Sequence, residues 1–118
     1  PLNGVATKRA SITREWAYIF GPIDIGPNET QTISIWNMLL FKPEKVVNYG
    51  DDFVVKSFLI SGVEQFFPSY SLDYLASVTR FGTDFNTSNP GGKIHLVVEN
   101  RRDKEARLHA GLKGKTVK

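Results

Sequence analysis

The chain has no cysteine. Disulfides, thiolate nucleophiles and cysteine-held metals are therefore excluded, and a covalent nucleophile would have to be Ser or Thr. Histidine is scarce, with only His95 and His109, and two imidazoles without a third ligand make a poor metal site. No apolar run approaches the ~20 residues of a membrane-spanning helix; the longest are short pieces such as Met38 to Phe41. Catalytic motifs are missing too. There is no G-x-S-x-G elbow, and Gly91-Gly92-Lys93 lacks the spacing and the following Ser/Thr of a phosphate loop. Internal repeats are absent. The N-terminal "PLNGVATKRASITREW" has no apolar stretch of the secretory kind, and a leading Pro is what removal of an initiator Met leaves. The expectation is a protein made in the cytoplasm, with no cofactor.

The 118 residues present make one domain's worth of chain, with 41% hydrophobic and 23% charged residues. Fifteen Lys and Arg against twelve Asp and Glu give a net charge of +3. That balance falls short of a dedicated nucleic-acid binder, so nucleic acid is a possible partner but not the favoured one. Residues 1–14, with Lys8, Arg9 and Arg14, read as a polar basic arm, and 15–118 as the folded domain.

Alternation with period two dominates that domain. Gln31, Ile33 and Ile35 alternate with Thr32, Ser34 and Trp36. In "DFVVKSFLISG", Phe53, Val55 and Leu59 fall on one face and Val54, Phe58 and Ile60 on the other, as in a strand sandwiched between layers. Trp16 to Phe20 reads as a strand that Gly21-Pro22 ends, and Pro43 interrupts the run after Leu40. "KIHLVVE" and "ARLHAGLK" alternate cleanly and are expected to pair as a hairpin around "RRDK", bringing His95 diagonal to His109. A helix over 103–112 is the rival reading for the second of these, opposed by Gly111 and Gly114. The sum predicts an all-β, antiparallel β-sandwich, jelly-roll-like.

Candidate sites are few. Asp84 to Asn89 alternates oxygen ligands but lacks the Gly and Glu of a calcium loop. Asp51-Asp52 reads as a turn cap rather than an acid–base pair. Arg101, Arg102, Lys104 and Arg107 form a basic contact patch, interleaved with Asp103 and Glu105. "FFPSYSLDYLASVTRFGTDF", Phe66 to Phe85, holds six of the fourteen aromatics. Such a set is not all left in water in a stable monomer. Phe66, Leu72 and Leu75 are the candidates for the core. Phe67, Tyr70 and Tyr74, with Trp36, are the candidates for a subunit interface, because amphipathic aromatics suit one.

Three stretches, "TQTISIW…LLFKPEKVV", "FVVKSFLISGVEQF" and "GGKIHLVVEN…ARLHAGLKGKTV", carry a pattern over Thr30 to Val117. Its marks are Phe41-Lys42-Pro43, Gly62-Val63-Glu64-Gln65 and Val98-Glu99-Asn100. This pattern resembles small β-sandwich virion proteins of bacterial viruses. The resemblance implies a capsid, decoration or spike component whose activity is association with itself and with other virion proteins. It implies a place in the virion and carries no catalytic residues. A lectin-like carbohydrate- or protein-binding module uses the same aromatics and is the alternative. An enzyme whose site the sequence hides is a third reading.

Overall fold

A computed structural model describes residues 13–65 and 69–117, Val117 by its backbone. They form eight strands and one helix: β1 (Thr13–Ile25), β2 (Thr30–Trp36), β3 (Leu40–Asn48), β4 (Val54–Ile60), β5 (Val63–Glu64), β6 (Tyr70–Ser71), α1 (Leu72–Thr79), β7 (Lys93–Glu99) and β8 (Ala106–Val117). Two antiparallel sheets pack face to face as a sandwich. One has the order β1-β8-β3, the other β2-β7-β4-β5, with β6 also pairing β4. Among the described residues no helix is long and apolar enough to cross a membrane.

The core lies between the sheets. Phe20, Ile25, Phe41, Val46, Leu108 and Leu112 come from the first, and Val55, Phe58, Ile60, Ile94, Leu96 and Val98 from the second. The alternation of β2, β7 and β8 places these residues as the period predicts. In β4 the predicted faces do not survive. A register shift between Val55 and Ser57 inserts an extra residue, so Val55, Phe58 and Ile60 all point inward while Leu59 faces out. Glu64 on β5 steadies the bulge, its carboxylate accepting from Phe58 N–H and the Ser57 hydroxyl at 2.7 Å each.

Two predicted breaks are bulges instead. β1 runs through Gly21-Pro22 with a register shift between Phe20 and Ile23. Gly21 has φ +88°, and a Cβ there would stand 2.3 Å from the Leu108 carbonyl oxygen, so only glycine allows this approach. Pro22 sits on an edge strand, where a missing N–H leaves no ladder bond unmade. β3 likewise continues past Pro43, with its shift between Pro43 and Lys45.

The predicted β7–β8 hairpin is not formed. β7 pairs β2 and β4, and β8 pairs β1 and β3, so the connection between them crosses from one sheet to the other. Asn100, fully buried, pins the crossing: its Nδ2 donates to the carbonyls of Ile25 (3.0 Å), Gly26 (3.1 Å) and Lys104 (2.8 Å). His95 and His109 consequently lie on separate sheets.

The helix was not foreseen. Ser71 caps it, accepting from Tyr74 N–H at 3.1 Å, and Asp52 accepts from Ser71 Oγ and from Asp73 N–H at 3.0 Å. Leu72, Leu75 and Thr79 turn inward, and the Thr79 hydroxyl accepts from Val46 N–H on β3 at 2.9 Å. α1 thus covers the free edge of β3. Leu72 and Leu75 are core, as expected; Phe66 lies outside the described residues. β1 begins at Thr13, two residues before the boundary set for the arm, and the rest of the arm lies outside the described residues.

Candidate functional site

Each sheet ends on an outer strand at the same side of the sandwich, β1 in one and β2 in the other; the two touch and are joined by the Gly26–Glu29 turn. The opposite side is closed by α1, β5 and β6. The open edge carries the candidate site, and buried Asn37 organises it. Its side chain accepts from the Tyr18 hydroxyl at 2.7 Å and donates to the carbonyls of Ser88 (2.7 Å) and Asn89 (3.1 Å). Its backbone exchanges bonds with Gly91 and Gly92. With Asn37 held inward, the residues on either side of it face out. Trp36 is 59% exposed and Met38 73%.

Trp16 joins them from β1. It is 40% exposed and meets Tyr18 edge to face at 6.3 Å; Tyr18 in turn meets Phe41 at 5.0 Å. Trp16 is therefore linked through Tyr18 and Asn37 to the Trp36–Met38 turn. Lys93, opposite Trp36 on β7, places its ammonium 4.6 Å from the indole centroid. One step along the same face, Ser34 Oγ lies 2.7 Å from His95 Nδ1. Among the described residues no carboxylate is hydrogen-bonded or ion-paired to His95. Nor do three or more His, Asp or Glu gather as a metal cage there. The edge offers apolar and aromatic contact area with a polar rim.

The other predicted interface residues are dispersed. Tyr74 faces solvent on α1, on the side opposite Trp36. Tyr70 packs against the core, and its phenol is pushed well above the usual range, by burial first and by the Glu64 charge second. Phe67 lies outside the described residues. In the predicted basic patch, Arg101 pairs Glu99 (2.7 Å), Arg102 pairs Asp51 (3.6 Å) and Arg107 pairs Asp24 (3.2 Å). The Arg101 hydrogen bond holds the Glu99 carboxyl below its ordinary value. Lys104 is exposed at the same bend. Asp84, in the supposed calcium loop, binds Lys42 at 2.6 Å.

Trp16 and Met38 were missed from sequence. The available signal was the "WNM" triplet, where a small amide between two large apolar residues ends a strand. No family model, curated protein or solved structure matches the chain.

Proposed function

We propose that this protein is a non-enzymatic structural β-sandwich that assembles with copies of itself, as a capsid, decoration or spike component of a virion. The observation that carries the reading is the open edge, where the outer edges of β1 and β2, which no other described strand pairs, coincide with exposed Trp16, Trp36 and Met38. Trp and Met are enriched in interface cores, and a free strand edge is a template for another chain. The winding supports a jelly roll. β1–β8, β2–β7 and β4–β5 pair as in one long hairpin folded over on itself. The Phe41–Ser88 bridge stands where the remaining pair would run.

The test is Trp36→Ala combined with Met38→Ala. Both side chains are exposed, so thermal unfolding of the subunit should shift by no more than about 2 °C, within what surface substitutions do. Self-association should weaken at least ten-fold in sedimentation velocity. Unchanged association would remove this edge from the interface. The lectin-like reading is favoured by one feature, the Trp36 ring beside the Ser34–His95 pair. A monomer that binds glycans and loses them with Trp36→Ala would establish that reading instead.

A further inference from the structure

Away from the open edge, the outer face of the first sheet carries two like-charged cross-strand pairs. Lys42 lies directly opposite Lys115, and Lys45 directly opposite Lys113. Like charges facing each other across strands are destabilising. Lys42 is compensated by Asp84, and Lys115 has Glu44 at 3.9 Å and Glu15 opposite it on β1. Lys45 and Lys113 are in no ion pair among the described residues, and the other cross-strand neighbour of Lys113 is Ala17.

A third uncompensated cation adjoins them. Arg80, the C-cap of α1, is also in no ion pair among the described residues. Its guanidinium lies 4.7 Å from the centroid of Phe81, a ring 90% exposed. Glu44, Lys45, Arg80 and Phe81 line a depression of about 210 Å³, and the Glu44 carboxylate faces Lys115 at 3.9 Å. Lys45 and Arg80 also line the adjoining groove of about 420 Å³ between β3 and α1. The acid in that groove, Asp73, already accepts from Asn48 at 2.6 Å.

We propose that this groove and the lysine face beside it bind single-stranded nucleic acid. Lys45, Lys113 and Arg80 take backbone phosphates, and a base stacks on the face of Phe81 that Arg80 leaves open. Cations tracking a backbone beside an aromatic platform are what sequence-tolerant single-strand binding requires. An acidic protein segment would use the cations and leave Phe81 without a role.

The test is fluorescence anisotropy with labelled twelve-nucleotide oligothymidylate and oligouridylate on the full chain. Three phosphate contacts give a slope of about −2 in log affinity against log salt, a loss of roughly 20-fold between 50 and 200 mM. Lys45→Glu with Lys113→Glu should weaken binding at least ten-fold and flatten that slope. Phe81→Ala should weaken it roughly ten-fold with the slope unchanged. Lys56→Glu, on β4 of the other sheet, should stay within two-fold. Near-ultraviolet circular dichroism confirms that each variant is folded. No binding of either strand at 50 mM salt overturns the proposal. So does an equal loss with Lys56→Glu. Wild-type binding by Phe81→Ala, with an aspartate-rich peptide competing, also overturns it and assigns the face to an acidic protein.

Discussion

Two buried amides carry more of this fold than their size suggests. Asn37 and Asn100 are both fully buried, and each supplies hydrogen bonds to chain segments far away in sequence. Asn100→Ala strips one donor from three carbonyls, each of which costs on the order of 1 kcal/mol or more when left unpaired. We expect a loss of about 3 kcal/mol in urea denaturation, with the denaturant slope unchanged. A loss below about 0.5 kcal/mol would show that water replaces the amide. At the surface, Lys42 holds Asp84 below its ordinary carboxyl value, by hydrogen bond first and by charge second. A depressed carboxyl stabilises above its unfolded value and loses that contribution as pH falls through its folded value. Lys42→Gln should raise the Asp84 carboxyl back toward the ordinary carboxylate range in a carbon-detected NMR titration. Asp84 is exposed, so the unfolding profile should move little; an unmoved Asp84 would break the assigned pair.

The elements differ in how plainly they were written in the sequence. β2, β7 and β8 were legible because their own alternation is uninterrupted, the bulges falling in the strands beside them. β1, β3 and β4 each contain a bulge, and a bulge shifts every later side chain to the opposite face. Gly21-Pro22 and Pro43 therefore looked like strand ends when they are irregularities inside strands. α1 was hidden for another reason. Its inward residues Leu72, Leu75 and Thr79 follow helical spacing over only eight residues, among aromatics that favour strands. Its stability rests on the cap and on β3. Ser71→Ala should cost about 1 kcal/mol. Hydrogen exchange should accelerate at Tyr74 N–H and at Val46 N–H, which bonds to Thr79. Faster exchange at Tyr74 alone would mean that the helix does not secure the β3 edge.

For the whole molecule, fold class was legible and pairing was not. Strand composition and turn spacing announce two packed sheets, whereas the crossing after β7 depends on Asn100 meeting the β1–β2 corner 75 residues away. That contact has no local signature. Of the candidate interface, Trp36 was legible as an outward strand residue. Its joining with Trp16 and Met38 became visible only when β1 and β2 came to lie at one edge. Among the described residues the two sides differ by the same winding: one is closed by α1, β5 and β6, and the other ends in the outer strands β1 and β2. A stable interface buries about 800 Å² per partner and draws on ~20–30 residues. β1 and β2, together with the turns on either side of β2, supply exposed residues on that scale. The native mass in solution, by light scattering across a hundred-fold range of protein concentration, tests this account most directly. It predicts a discrete oligomer, a whole-number multiple of the 13.2 kDa chain, that dissociates on dilution. A mass of 13.2 kDa at every concentration would contradict it.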